Sequence, residues 1–206
     1  MTTSTPEIND DVVQQEILRV ALRLYRKFGP NKVTMDEVAN ATGRSRTSLY
    51  YYYKSRDEIF QAVLDTIVND VAEELRRAAG DAHTLTDKLY AFCMAKVKTT
   101  EEWKSILNVW SQESNEKAKY THGKEVDALH KKLIYQESII LNEILSSAIN
   151  KKEIRAISPA ELDSLTFIIS SGIRGLRREV YDMNDPHDIK AAVRLLSTMI
   201  AGWLSL

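Results

Sequence analysis

A pair of short helix signatures separated by a glycine, within residues 34–52, constrains the fold of this chain more than any other feature. Thr34 and Glu37 match a capping box, in which each side chain accepts a hydrogen bond from the other residue's backbone N–H, so a helix of about two turns begins there. Gly43 can adopt the left-handed conformation of a tight turn, and Ser45 can cap a second short helix. This spacing matches a helix-turn-helix, although chance helical hairpins also produce it.

The rest of the sequence predicts an all-α fold. Seven Gly and four Pro in 206 residues are too few for the many turns of a β sandwich. Pro159 and Pro186 each follow a residue that can cap a helix, Ser158 and Asp185, and therefore mark two helix starts. The predicted helices span 11–28, 35–42, 46–52, 56–79, 84–98, 101–114, 122–150, 159–182 and 186–205.

Charge is distributed unevenly along the chain. Residues 12–56 contain nine Lys or Arg and three acids, a balance of +6, while the whole chain has a net charge of −1, so the remainder carries −7. A basic block on an otherwise acidic chain indicates that this end meets a polyanion such as nucleic acid. A solvated surface with uneven charge explains the composition equally well.

The sequence contains no enzymatic, metal-binding or membrane signal. The single cysteine, Cys93, has no partner for a disulfide or a zinc cluster, and the four histidines lack ligand spacing. There is no phosphate-binding glycine loop. The longest uncharged stretch, 195–206, has 12 residues, fewer than the roughly 20 that span a bilayer. We therefore expect a cytoplasmic protein that is not an enzyme and uses neither cofactor nor metal.

The segment 17–60 resembles the DNA-binding domain of the TetR family of bacterial transcriptional regulators. The densest part of the match is 49–56, LYYYYKSR, a run of apolar, aromatic and basic residues that ends the second helix of the helix-turn-helix. Two positions depart from the family pattern. Arg44 replaces a small apolar residue after the turn glycine, and Arg56 replaces a lysine.

The resemblance implies a three-helix DNA-binding domain at 1–56, with a flexible tail at 1–10, and a helical bundle for effector binding and dimerisation at 57–206. In such a domain, the second helix of the helix-turn-helix enters the major groove, where Arg46 can donate two hydrogen bonds to guanine. Tyr53 is expected to pack beneath that helix. The other expected DNA-binding residues are the base-edge residues Thr47, Ser48 and Tyr51, the phosphate contacts Thr34, Tyr50, Tyr52, Lys54 and Arg56, and the cap residue Ser45.

Small and apolar residues recur at helical spacing on the last two predicted helices, which permits close contact between helices. The resemblance implies that these helices pair with their copies in a four-helix dimer interface. Without it, intramolecular packing of an ordinary bundle explains the same pattern. The expected interface residues are Ile168, Ser171, Gly172, Gly175, Ala192, Leu196, Met199 and Trp203.

The middle of the chain is rich in aromatic residues, each of which is more often part of a core than of a ligand site. The resemblance implies a small-molecule pocket in this region. Because no basic cluster suited to a phosphate or carboxylate is evident, we expect a largely apolar or aromatic ligand. The expected lining residues are Phe92, Met94, Trp103, Leu107, Trp110, Tyr135, Ile139 and Phe167.

Two functions from different classes fit these observations. The first is a homodimeric transcriptional repressor that binds a palindromic operator on double-stranded DNA and is released by a small effector. The second is an all-helical ligand-binding or protein-interaction module without a DNA role. The salt dependence of binding to duplex DNA distinguishes them, because only phosphate contacts release counterions.

Overall fold

A computed structural model describes residues 10–111 and 116–205, with side chains described at 10–104 and 127–205. Helices make up nearly all of this part of the chain, which confirms the predicted all-α fold. None of the helices described there combines the length and the hydropathy needed to cross a bilayer. The helices are α1 (Asp10–Phe28), α2 (Met35–Ala41), α3 (Arg46–Tyr52), α4 (Arg56–Gly80), α5 (Leu85–Ser111), α6 (Glu116–Asn150), α7 (Pro159–Arg177) and α8 (Ile189–Leu204).

The described residues divide into two compact units. The first unit comprises the residues up to Ile67 together with Ser105–Asp127, and so contains α1 to α3. The second unit comprises Val68–Lys104 and the residues from Ala128 onward, and so contains α7 and α8. Helices α4, α5 and α6 each contribute to both units. The predicted domain boundary after residue 56 lies at the start of α4 and stays a prediction.

The first unit has a small core formed by one face of α1 and the helix-turn-helix. Buried residues of α1 recur about every three or four positions, and Ile17 and Ala21 are completely buried. Val38 and Ala39 on α2 and Leu49 on α3 are buried as well. Because burial of a side chain such as Ile17 or Leu49 contributes about 1.5–3 kcal/mol, these residues fix α3 firmly on its inner side.

Local hydrogen bonds fix the ends of α2 and α3 as the sequence predicts. The Thr34 hydroxyl accepts from the Glu37 backbone N–H at 3.2 Å, and the Glu37 carboxylate accepts from the Thr34 N–H at 2.7 Å. Gly43 has a φ of +67°, in the left-handed region that favours glycine. The Ser45 hydroxyl accepts from the Ser48 N–H at 3.1 Å and caps α3. The predicted helix-turn-helix is therefore confirmed.

One predicted helix break, at residues 99–100, is wrong. The helix predicted at 84–98 and the helix predicted at 101–114, as far as Ser111, form one helix, α5, and residues 112–114 lie outside the described part. Thr99 and Thr100 lie at the predicted break, but the Thr99 hydroxyl donates to the Ala95 carbonyl at 3.0 Å and the Thr100 hydroxyl to the Lys96 carbonyl at 2.7 Å. Because these bonds satisfy both hydroxyls within the helix, two adjacent β-branched residues do not interrupt it.

The helix predicted at 159–182 begins as expected and ends earlier. The Ser158 hydroxyl accepts from the Glu161 N–H at 3.2 Å, and the Glu161 carboxylate accepts from the Ser158 N–H at 2.8 Å, which forms a second capping box. Regular α-helical structure ends at Arg177, and one π-helical turn, Arg178–Asp182, follows it. Such wider turns occur mostly as single turns attached to α-helices.

The predicted start of the last helix is wrong by one turn. The Asp185 carboxylate accepts from the His187 N–H at 2.9 Å in a local turn and does not cap a helix. Asp188 is the cap, because its carboxylate accepts from the Lys190 N–H at 2.8 Å and α8 begins directly after it. Pro186 therefore lies in the connection before α8, where a proline is also tolerated.

Candidate nucleic-acid interface

The outer face of α3 carries the residues predicted to meet base edges. Leu49 and Tyr53 are buried, the first within α3 and the second directly after it, as expected for residues that hold the helix in place. Arg46, Thr47 and Tyr51 are exposed, and Thr47 and Tyr51, four residues apart, lie on the side of α3 opposite Leu49. A short helix that is packed on one side and open on the other has the geometry needed to enter the major groove.

Arg46 is held at the start of α3 by two neighbours. Its Nη1 donates to Asp36 Oδ2 at 3.2 Å, and its Nη2 donates to the Tyr50 hydroxyl at 3.4 Å. The guanidinium carbon lies 5.5 Å from the centre of the Tyr50 ring. The hydrogen bond with Tyr50 and the charge of Asp36 both raise the pKa of Arg46. Since a guanidinium has five N–H donors, these contacts orient Arg46 without using all of them.

Asp36 is a site residue that the sequence analysis missed. It lies in the first turn of α2, where an acid interacts favourably with the helix dipole. An acid at this position is therefore expected in any helix and does not by itself indicate a site. Asp36 and Arg46 are ten residues apart in the sequence, and the turn at Gly43 is needed to bring their side chains together. The spacing alone therefore does not predict this contact.

Two cations lie at the end of α3, where the sequence predicts phosphate contacts. The Lys54 ammonium donates to the carbonyl oxygens of Tyr50 at 2.9 Å and Tyr51 at 3.2 Å. A cation is favourable there because helix carbonyls at this end have no other partner. Arg56 Nη1 donates to the Asn31 carbonyl at 3.2 Å, so its side chain is directed towards the connection between α1 and α2.

Two contacts join α1 to the helix-turn-helix. The Tyr52 hydroxyl, another predicted phosphate contact, donates to Asp10 Oδ1 at 2.9 Å. Arg44 Nη2 lies 3.5 Å from Glu16 Oε2, while its backbone N–H donates to the Ala39 carbonyl at 2.9 Å. The family pattern has a small apolar residue at this position. The ion pair with Glu16 explains how the turn accommodates an arginine there without losing its backbone hydrogen bond.

The remaining predicted residues, Thr34, Ser45 and Ser48, take part in the capping hydrogen bonds described above. The surroundings of α3 stay basic, because two of the three acids in residues 12–56, Glu16 and Asp36, are each paired with an arginine. The third acid caps α2. Positive charge therefore exceeds negative charge over residues 12–56, which include α3, as binding to a polyanion requires.

Comparison with known proteins finds similar sequences for the part of the chain that contains the helix-turn-helix. A family model described as bacterial regulatory proteins of the tetR family matches residues 17–63, from within α1 to the first part of α4. The curated relatives that match the chain include the transcriptional regulators QacR and AcrR.

Three similar proteins show how far the likeness extends. The transcriptional regulator QacR of Staphylococcus aureus is 24% identical over 147 residues, which cover 67% of this chain and 77% of QacR. IcaR of Staphylococcus epidermidis, a negative transcriptional regulator of the biofilm operon icaADBC, is 25% identical over 90 residues, 44% of this chain and 48% of IcaR. A TetR/AcrR-family regulator from Thermobifida fusca is 18% identical, with a TM-score of 0.55 over 94% of this chain and 97% of that one, which supports the fold.

The residues predicted to line an effector pocket differ in burial. Phe92 is completely buried in the second unit. Tyr135 and Phe167 are 65% and 68% exposed in the single chain, and their role in a pocket stays a prediction. Aromatic composition favours a buried site, but it does not specify which face of a helix each residue occupies. Three others are half-buried: Met94, Trp103 and Ile139. The side chains of Leu107 and Trp110 lie outside the described residues.

The last two helices expose several large apolar side chains. We call this set the α7–α8 apolar face; its members are Phe167, Ile168, Leu195, Met199 and Trp203. The sequence analysis predicted three of them as interface residues and missed Leu195 and the outward direction of Phe167. Gly175 is exposed and Ser171 is partly exposed. Ser171 is three residues after Ile168 and Gly175 is seven residues after it, so both lie on the same side of α7 as Ile168.

Two predicted interface residues on α8 lie at least partly within the chain. A Cβ at Gly172 would lie 3.6 Å from Leu196 Cδ2, which shows that Leu196 packs against α7 of its own chain. Ala192, one turn earlier, is half-buried. The outward stripe of α8 is therefore the one through Leu195, Met199 and Trp203, at steps of four residues.

Proposed function

We propose that this chain is a ligand-responsive repressor that binds a palindromic operator as a homodimer. The observation that carries the proposal is Arg46, exposed at the start of α3 and oriented by Asp36 and Tyr50. Arginine makes the commonest specific contact with guanine, through two hydrogen bonds in the major groove. Repression is supported by the likeness to IcaR, which is a negative regulator.

In this proposal α3 lies in the major groove, with its N-terminal residues against the bases. Arg46 reads a guanine, and Asp36 and Tyr50 hold the guanidinium at the start of α3. Phosphate contacts on either side fix the position of the helix without reading sequence. The base-edge residues are Arg46, Thr47, Ser48 and Tyr51, and the backbone contacts come from Thr34, Ser45, Tyr50, Tyr52, Lys54 and Arg56.

The α7–α8 apolar face is the proposed dimer interface. Monomeric proteins rarely expose contiguous apolar patches of this kind, and two-fold pairing buries the same patch on both copies. Gly175 and Ser171 allow the two α7 helices to approach closely. A two-fold dimer presents two copies of α3, which is why the operator is expected to be palindromic.

Effector binding in the second unit is proposed to release the operator. A ligand that binds the DNA-free conformation more tightly shifts the population away from the spacing of α3 helices that fits two half-sites. By linkage, operator DNA must weaken ligand binding by the same factor.

The salt dependence of binding to random-sequence duplex DNA tests the DNA role. Lys54 and Arg56 in two protomers neutralise about four phosphates, so the slope of log K against log salt is expected to be about −4. The double variant Lys54→Gln and Arg56→Gln should bring the slope towards zero, while the exposed α8 control Lys190→Gln should leave it unchanged. A protein-interaction module without a DNA role predicts no salt-dependent binding, and that result would contradict the proposal.

A further inference from the structure

A buried polar cluster lies inside the second unit and is built from three helices. Lys96 on α5 and Glu137 on α6 form an ion pair, and their side chains are only 7% and 8% exposed. Arg174 on α7 lies close enough for its charge to act on Lys96. Burial lowers the pKa of Lys96, Glu137 opposes this, and the charge of Arg174 lowers the pKa further. Ser170, one helical turn before Arg174, is also buried.

Among the described residues the cluster contains two cations and one carboxylate. Arg174 Nη2 donates to Ser171 Oγ at 3.0 Å, whereas Arg174 Nη1 is buried and has no hydrogen-bond partner in the described part of the chain. The same holds for the Ser170 hydroxyl, and Glu137 Oε2 has only its ion contact with Lys96. Buried donors are nearly always hydrogen-bonded, because an unsatisfied one keeps the full cost of its desolvation, and the cost is greatest for a charged group.

Arg177, three residues later on the same helix, shows the contrast. Its Nη2 lies 2.8 Å from Asp182 Oδ2, and its Nη1 also contacts the Glu101 carboxylate. Within residues 10–104 and 127–205, no carboxylate pairs with Arg174 in this way. Among the described residues, carboxylates therefore pair with Arg177 and leave Arg174 Nη1 without a hydrogen-bond partner.

We propose that Arg174 and Ser170 bind the carboxylate of a small monoanionic effector, an inference that rests on the proposed effector-binding function of this unit. A guanidinium binds a carboxylate through two parallel hydrogen bonds, and the Ser170 hydroxyl supplies a further donor. One negative charge balances the surplus of one positive charge, whereas a dianionic phosphate would exceed it. Glu137 forms its ion pair with Lys96 and, among the described residues, forms none with Arg174.

The helices next to the cluster indicate the rest of the ligand. Phe92, Ile140 and Ile173 lie within one turn of Lys96, Glu137 and Arg174 on their respective helices, and all three are essentially completely buried. When the carboxylate of a ligand binds Arg174, the remaining atoms of the ligand lie among apolar side chains of this kind. We therefore assign it as a carboxylic acid with an apolar body.

Binding is tested with straight-chain and phenyl-substituted monocarboxylates, each compared with its uncharged primary amide. The amide has nearly the same shape and lacks the charge. Thermal unfolding and calorimetric titration of the full chain measure binding, because a ligand that binds only the folded state raises the melting temperature. At least one carboxylate is expected to raise it, and its amide is not.

Variants connect this binding to the cluster. Arg174→Gln should weaken carboxylate affinity about 10- to 150-fold, which is the range for a lost hydrogen bond to a charged group, and Arg174→Lys should restore part of it. The matched control is Arg178→Gln, which removes an exposed arginine just after α7 and should leave affinity unchanged. If Arg174→Gln unfolds, Ser170→Ala decides the question, because it removes one hydroxyl and should still weaken carboxylate binding.

Three results would overturn the assignment: no carboxylate stabilises the chain more than its amide; the affinity is unchanged in Arg174→Gln; or it is unchanged in Ser170→Ala. The test also separates this inference from the proposed function. If an uncharged ligand releases the operator equally well from the wild-type chain and Arg174→Gln, the repressor proposal stands and the carboxylate site is wrong. If a carboxylate binds through Arg174 without changing operator affinity, the site is supported and effector control is wrong.

Discussion

Gly175→Leu is expected to dissociate the proposed dimer without unfolding the chain. Gly175 is exposed on α7, and no described atom lies within 4 Å of a Cβ built there, so a leucine meets open space in the single chain. Leucine is also a better helix former than glycine. The substitution should therefore raise the free energy of unfolding of the chain by about 0.8 kcal/mol.

The same leucine has the opposite effect on the dimer. In the proposed interface it lies where α7 approaches its copy, and overpacking typically costs about 1–3 kcal/mol per site. A two-fold interface contains the position twice, so the dimer loses about 2–6 kcal/mol. At about 1.4 kcal/mol for each factor of ten, the dimer dissociation constant rises by about 30- to 20,000-fold.

Sedimentation velocity measures the dimer, and thermal unfolding measures the chain. The control is Gly80→Leu, at the exposed end of α4, where a Cβ also has no described atom within 4 Å. It should leave the dimer unchanged. A wild-type dimer mass for Gly175→Leu would place the interface elsewhere. A lower melting temperature at equal oligomeric state would show that Gly175 packs within the chain.

Two further predictions concern single side chains. Asp36→Asn should raise affinity for random duplex DNA, because an acid beside the groove is removed. It should also reduce discrimination in favour of the operator, because Arg46 loses an orienting partner. Titration with both duplexes measures the two affinities, and an equal gain for both would contradict the orienting role. Burial raises the pKa of the Cys93 thiol from 9.0 to about 12. Between these pH values the thiolate forms in the unfolded chain and not in the folded chain. The free energy of unfolding should therefore fall by about 1.4 kcal/mol per pH unit in this range. Denaturant unfolding at pH 8 to 11 should show that Cys93→Ala lacks this part of the loss; an unchanged pH dependence would show that Cys93 does not cause it.

Features set by neighbouring residues could be predicted from the sequence. The capping box at Thr34, the cap at Ser45 and the turn at Gly43 depend on side chains three or four residues apart, and the structure contains all three. The break predicted near Thr99 failed because a propensity against helix is weak and hydroxyl–carbonyl bonds within the helix offset it.

Features set by distant residues could not be predicted. Lys96, Glu137 and Arg174 lie on three helices, and each appears in the sequence as an ordinary surface charge. The sequence therefore shows no basic cluster there, since burial and the pairing of Lys96 with Glu137 follow only from helix packing. The direction of Phe167 and Leu195 depends in the same way on which face of α7 and α8 the core occupies.

The central claim is that two copies of α3 read a two-fold symmetric operator through Arg46. Selection of bound sequences from a random duplex pool tests it most directly, carried out in parallel with the wild-type chain and Arg46→Ala. The wild-type chain should enrich two inverted half-sites about one helical turn, or a multiple of it, apart, each with a conserved guanine. Arg46→Ala should keep the spacing and lose the preference at that guanine, with about a 5- to 150-fold weaker operator complex. A single asymmetric motif, or a guanine preference that persists without Arg46, would contradict the account.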